Sequence, residues 1–530
     1  MNELERVAER SARGSLHLFL GNFLSEIINA VGVVIVARML TPGEYGVLGL
    51  SFVLPGIFVM FTFWGIGSAL TRFLARYETR GMWDQARSII RIGYLFRAAT
   101  ACLISALLFL GAEFLAAVVL MRPDMAGLVR LTSVLVVFQS LYNTSASIFY
   151  GTGRMDIMAV LMVVQSVVKT TSSYLFLVWG YGVLGAVIGH ILGFGVVTTA
   201  SVILTVWYTR GKEASTEAMS EEVSINEMLR FGFPLFIGSL IGNLGAKYQG
   251  LLLAWFASDA AIGNLNIANK FRSLVTLFTV PISTVVYPAF SKFDYREQPG
   301  EMERLFEVSV RYATLLVFPA VALITILSQD FVYFLFDPRY SLAPFLLALS
   351  LLQFLGVGLG SISIYKFLNS QGDTVTTFRL NLVNVGIRVA VSTVLTWQLG
   401  VPGLLLGLFI SELLGRAFNI FVVYQRYGVR IEVAHTVRVV AFSAVSALST
   451  YAALKWLNLP SNLANLTVGA VTFLASCMVL APLIGAIRDS DIQNISRIMR
   501  REPLLNPIVS PLLRIEERII SLRSGKREQE

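Results

Sequence analysis

The sequence predicts an all-α, polytopic membrane protein of about fourteen transmembrane helices. Two observations carry this. Of the 530 residues, 55% are hydrophobic and only 14% charged, with a mean hydropathy of +0.70, whereas soluble domains carry about 25% charged residues. The apolar residues also gather into runs of the roughly 20 that a hydrocarbon core about 30 Å thick asks of a helix. The same numbers exclude disorder, collagen-like repeats and a disulfide scaffold. Cys102 and Cys477 both lie inside apolar runs, and His17, His190 and His435 are scattered. Neither a metal site nor a cofactor is expected.

Candidate spans fall near 15–38, 45–69, 92–120, 128–150, 156–179, 183–208, 229–255, 262–288, 309–329, 342–365, 374–398, 401–424, 434–456 and 464–486. Most connections are short, such as Gly180-Tyr181-Gly182, which argues against a large exposed catalytic domain. The first run is too long for a signal peptide and reads as a retained helix. With the N-terminus inside, 31 of the 42 Lys and Arg residues fall on cytoplasmic tails and loops. Five lie on outer loops and helix ends: Arg38, Arg122, Arg130, Arg339 and Lys455. The net charge of +9 is therefore topological and calls for no nucleic acid. Both termini are expected in the cytoplasm, in a plasma-membrane protein.

The two halves read as copies. An offset of 217 carries Leu18–Gly21 onto Leu235–Gly238 and Tyr45-Gly46 onto Ile262-Gly263. Gly153 matches Gly372, and Lys169 and Arg388 each follow those glycines by 16 residues. Gly182–Gly185 matches Gly400–Gly403 at an offset of 218. Parallel repeats of this kind place a binding site between lobes. The expected organisation is a basic amphipathic N-tail (1–14), an N-lobe (15–208), a linker (209–228), a C-lobe (229–424), two extra spans (425–486) and a basic amphipathic tail (487–530), suited to lying on membrane lipids.

Several segments, taken in order, resemble a known family. They are Ala37-Arg38-Met39-Leu40-Thr41-Pro42-Gly43-Glu44-Tyr45-Gly46, Tyr150–Arg154, Phe233-Pro234-Leu235 and Tyr287–Ser291. Together they resemble the polysaccharide-unit flippases, O-antigen type, of the multidrug/oligosaccharidyl-lipid/polysaccharide exporter (MATE-like) superfamily, over about residues 10–486. The resemblance implies two six-helix lobes around a central cavity, and passage of a polyprenyl-(pyro)phosphate-linked glycan to the outer leaflet by alternating access. It also implies a coupling ion, a proton or Na+, and glycan-assembly enzymes as neighbours. One departure is Lys247-Tyr248-Gln249, where many relatives carry an acidic residue.

Six basic residues fall within spans: Arg97, Lys169, Lys247, Lys270, Arg272 and Arg388. A charge at a helix centre costs about 2.5–3.5 kcal/mol on insertion scales, so these should face protein, water or an anion. Ser239, Asn243 and Lys247 are spaced i, i+4, i+8 and form one polar stripe. Their first-half counterparts include Glu26, with Asn29 beside it. Asn266, Asn269, Lys270 and Ser273 share a face, flanked by Arg272. Cations and amides on apolar helices suit phosphate and sugar hydroxyls; helix–helix hydrogen bonding is the bland alternative. Lys169 and Arg388 equally suit structural partners. Arg97 is expected to snorkel, and Arg72 to anchor on the inner leaflet or greet a phosphate. Glu26 has two roles open to it, counter-ion or coupling site. Glu412 and Arg416 are expected to pair locally.

A drug exporter of the same superfamily is the rival function, but its cavity should carry excess acid. A membrane glycosyltransferase or polymerase would want paired carboxylates on a sizeable outer loop. No nucleotide-binding loop occurs, and the chain is not expected to be an enzyme.

Overall fold

The computed structural model describes residues 3–212 and 224–487, together with 491, 493 and 516. Most of the expected linker lies outside them, as does most of the basic amphipathic tail, including its two amphipathic stretches expected near 490–501 and 511–523. So do the side chains of the amphipathic N-tail up to residue 12.

All regular structure among the described residues is helical. Among the described residues, twelve helices are long and apolar enough to cross a membrane, or thirteen if the bent pair Ala343–Leu359 and Ile364–Ser370 is one span. The expected fourteen exceeds that count by one, and the difference lies in Thr374–Tyr427. Its 54 residues would reach about 81 Å at 1.5 Å each, far beyond one bilayer. Gly400, at φ 62° and ψ −136°, breaks the helical path between two segments within that length. It does so between the expected eleventh and twelfth spans.

Two expectations need correction. The second span was expected unbroken over 45–69, but the helical path from Pro42 stops at Thr62 and a separate helix runs Ile66–Thr79. Trp64 (φ 45°) and Gly65 (φ 74°) take left-handed conformations that interrupt it. Arg97 does not snorkel. It is 2% exposed, donating from Nη1 to Thr62 O at 2.7 Å and from Nε to Thr144 Oγ1 at 3.1 Å. The broken span presents carbonyls at its C-terminal end, and a guanidinium suits that end of a helix.

The chain falls into two compact units, Met1–Asn266 and Ile267–Glu530. Within the first, Glu3–Met39 lies along Met155–Val178 through small residues. A Cβ added at Gly21 would meet Ala159 Cα at 2.6 Å, and one at Gly32 would meet Thr170 Oγ1 at 2.4 Å. Small residues let membrane helices approach this closely.

The first unit extends past residue 225 because of a second set of close approaches. Thr41 caps the helix Pro42–Ser51 in a reciprocal box with Glu44, with Pro42 in the first turn. Four residues on, a Cβ at Gly46 would stand 1.9 Å from Asp259 O. A Cβ at Gly263 would stand 1.9 Å from Pro42 O. These are repeat mates at the same offset of 217, so each copy's helix start packs its glycine on the other's backbone. Arg122 joins the same place. Its Nη1 donates to Asp259 Oδ1 at 2.6 Å, Nη2 to Ala257 O at 2.7 Å and Nε to Ala254 O at 3.2 Å. Trp255 Nε1 donates to Val119 O at 2.6 Å.

The repeat also shows in each unit's own packing. Gly185 abuts Phe176 and Gly189 abuts Ser173 in the first unit; Gly403 abuts Leu395 and Gly407 abuts Ser392 in the second.

Since backbone cannot yield as a flexible side chain can, Gly46→Ala and Gly263→Ala should each destabilise the detergent-solubilised protein, by about 1–3 kcal/mol as overpacked sites do. Gly43→Ala is the control, because its Cβ would meet only Asp259 Cβ, at 4.0 Å. Equal melting temperatures for all three variants would refute the close-approach account.

Candidate functional site

The Ile225–Phe256 helix starts with a capping box between Ser224 and Glu227 and packs on the Ile66–Thr79 helix and on the second span at Val53–Phe58. Gly232 meets the backbone of Gly65, and a Cβ at Gly250 would touch Val53 at 3.0 Å. Between these contacts runs the polar stripe. Ser239, Asn243 and Lys247 are all exposed, and added Cβ atoms at Gly238 and Gly242 would meet nothing within 4 Å. Lys247 reaches the second span, where a Cβ at Gly56 would stand 3.0 Å from its Nζ.

Asn266 closes the first unit and is half-buried against the same span, with its Nδ2 2.2 Å from where a Cβ on Gly49 would sit. Gly49 and Asn266 are again 217 apart. The same helix, Asp259–Arg272, continues into the second unit with Asn269 half-buried, Lys270 exposed and Arg272 half-buried. Both cations lie in its last turn, where the helix dipole favours positive charge. The helix then tightens into a 3-10 turn at Ser273–Val275, and Ser273 Oγ donates to Lys270 O at 2.6 Å.

In the first span the expected stripe divides. Asn29 turns toward the Met155–Val178 helix, accepts a hydrogen bond from Lys169 Nζ and donates to Ser25 Oγ at 3.5 Å. Ser25 in turn lies 2.5 Å from Ser166 Oγ. Asn29 and Lys169 are thus brought together by the glycine-lined face that packs these helices. Glu26 is exposed.

The remaining basic residues are engaged locally. Arg72 is exposed, its guanidinium 4.4 Å from the Phe231 ring centroid. Arg388 lies 3.6 Å from Glu412, whose other oxygen accepts Arg416 Nε at 2.6 Å, as the i, i+4 spacing predicts. Sequence reasoning missed two arrangements. One is the Arg122 clamp, in which Arg122 and Asp259 are 137 residues apart and nothing local joins them. The other gathers Tyr365, Asn384 and Asn419 around one hydroxyl.

The arrangement holds cations, amides and hydroxyls on membrane-spanning helices, with no cluster of metal-ligating side chains among the described residues. Cations, amides and hydroxyls are the groups that suit an anionic, hydroxylated solute.

Comparison with known proteins agrees with this fold. A flippase structure, that of the lipid II flippase MurJ in an inward closed conformation, superposes with a TM-score of 0.68 at 14% identity, covering 88% of this chain and 98% of that one. An inward-facing multidrug resistance MATE family transporter of the MOP superfamily gives 0.61 at 15% identity, over 77% of this chain and 98% of that one. In sequence the chain is 20% identical over 407 residues to a Haloferax volcanii protein named "Probable low-salt glycan biosynthesis flippase Agl15", covering 74% of this chain and 79% of that protein. Residues 11–294 match the family model described as polysaccharide biosynthesis protein, and the chain belongs to that family.

Proposed function

We propose that this protein is a flippase that moves a lipid-(pyro)phosphate-linked oligosaccharide from the cytoplasmic to the outer leaflet of the plasma membrane by alternating access. The observation that carries the reading is Lys247, on an open stripe of Ser239 and Asn243 along a membrane-spanning helix. A cation on such a helix needs an aqueous or anionic neighbour. Two of the similar proteins are themselves named flippases, which supports the same conclusion.

In this reading two six-helix lobes, 15–208 and 229–424, flank the path, and 425–486 supplies two further spans. Lys247, Lys270 and Arg272 hold the phosphate, while Asn243, Asn266 and Asn269 bond sugar hydroxyls. Glu26 balances the cations or binds the coupling proton or Na+. Asn29, Arg72, Lys169 and Arg388 stand second, because each is occupied by a local partner. The protein acts as a transporter and not as an enzyme, supplied by glycan-assembly enzymes on the cytoplasmic side.

The orientation is tested by reporter fusions. Those after residues 212, 298 and 530 should report the cytoplasm, and those after 259 and 337 the outside. An outside signal at 212 would invert the path.

The charge is tested by substitution. Lys247→Gln or Lys270→Gln should depress glycan export at normal membrane abundance, and the Arg variants should retain much of it, since charge and donors persist. Glu should be worst, through repulsion at short range in a low dielectric. The assay is lipid-linked precursor on the cytoplasmic leaflet beside surface glycan. Wild-type export by the triple variant Lys247→Glu, Lys270→Glu, Arg272→Glu would remove the phosphate path.

Glycine 56 gives an independent check. Gly56→Val crowds Lys247 Nζ and should lower export about as Lys247→Gln does, whereas Gly127→Val, with open space around it, should not. Equal export by the two glycine variants would detach Lys247 from the path.

A further inference from the structure

The second unit holds a half-buried group of charges, of which the flippase reading uses only Arg388, and that in second rank. Arg388 lies on the helical segment before Gly400, and Glu412, Arg416 and Asn419 lie on the segment after it. Two guanidinium groups share the one Glu412 carboxylate, so the group carries a formal charge of +1. Asn384 Nδ2 and Asn419 Nδ2 donate to the Tyr365 hydroxyl at 2.5 and 3.2 Å, and the guanidinium of Arg416 stands 5.3 Å from that ring's centroid. With two donors already on its oxygen, the Tyr365 hydroxyl is left to donate its own proton. Arg416 Nη1 and Asn384 Oδ1 are buried without a hydrogen-bond partner among the described residues.

Packing alone does not ask for these groups. The offset of 218 that pairs Gly185 with Gly403 and Gly189 with Gly407 sets Glu412, Arg416 and Asn419 opposite Phe194, Thr198 and Ser201. The first unit makes the matching helix contacts with no charge at those three positions. A water molecule would satisfy the orphaned Arg416 and Asn384 atoms, yet it would leave the excess positive charge uncompensated inside the spans.

We propose that this group binds a small monovalent anion, chloride or one of its size, against Arg416 Nη1, with the Arg388 guanidinium completing the site. Arg388 suits the role because its side chain is 36% exposed and only loosely held to Glu412. The few available donors fit a halide better than a doubly charged phosphate. The proposal does not depend on the flippase reading.

The test is thermal unfolding of the purified full-length protein in detergent, with chloride titrated against gluconate at constant ionic strength. The melting temperature should rise and saturate with chloride, and bromide should replace it. Arg416→Gln should abolish the rise. Arg388→Gln, at the exposed rim where folding tolerates change, should shift half-saturation several-fold to higher chloride. Glu412→Gln should shift it several-fold lower, since a competing negative charge is gone. A structural ion-pair network predicts a lower melting temperature in these variants with no anion dependence. Indifference of the wild type to the anion overturns the site, and so does a chloride response that persists unchanged in both arginine variants. A response abolished by Lys247→Gln would instead move the anion to the proposed substrate path and overturn this assignment.

Discussion

The architecture of the first unit depends on two backbones meeting where no side chain intervenes. Gly46 lies against Asp259 O and Gly263 against Pro42 O, and only glycine admits that approach. Membrane helices gain little from hydrophobic exclusion by one another, so association rests on close packing and polar contacts. The capped start at Thr41-Pro42 fixes where the first helix begins, hence which residue reaches the crossing four positions later. Arg122 then holds the 254–259 turn through two carbonyls and a carboxylate, with Trp255 returning a bond to Val119 O. The crossing therefore carries the seventh span and its polar stripe into the same compact unit as the first six.

A second constraint is that charges inside spans must be answered. The chain answers them in different ways. Arg97 is met by the carbonyl end of a helix that breaks at Thr62, Lys169 by the amide of Asn29, and Arg416 by a carboxylate. Lys247 and Lys270 are exposed instead. Side chains answered by protein hold helices together, and those left open are the ones the proposed path uses. This distinction separates Lys247 from Lys169 although both read alike as cations on apolar helices.

Much of this was legible because it is local or periodic. Apolar run length marks the spans, and the repeated Tyr45-Gly46 and Ile262-Gly263 pairs mark the crossing, although nothing in the sequence says that they touch. The spacing of Glu412 and Arg416 gives their pair directly. The stripe of Ser239, Asn243 and Lys247 is a helical period, and the structure leaves all three exposed as one face. The rest was illegible for a common reason. The break at Phe63-Trp64-Gly65 sits well past Pro55, the proline of its apolar run, and it is held by Arg97 from another helix. Asn29 looked like part of the Glu26 stripe, but the partner that turns it away is 140 residues distant. Long-range partners leave no spacing to read.

An internal repeat sharpens what such partners mean. Where both copies hold the same residue type at the same contact, as at Gly189 on Ser173 and Gly407 on Ser392, the fold requires it. Where the copies differ, the fold has shown that it can do without. Asn243 and Lys247 stand opposite Glu26 and Ala30, so the seventh span lacks the first span's negative charge and gains a positive one a turn later. The later spans diverge as well, Glu412 and Arg416 replacing Phe194 and Thr198. Shared positions thus record the scaffold, while the differing ones record its use. Because the differences add cations to the second copy within apolar helices, they fit the recognition of negative charge that we propose.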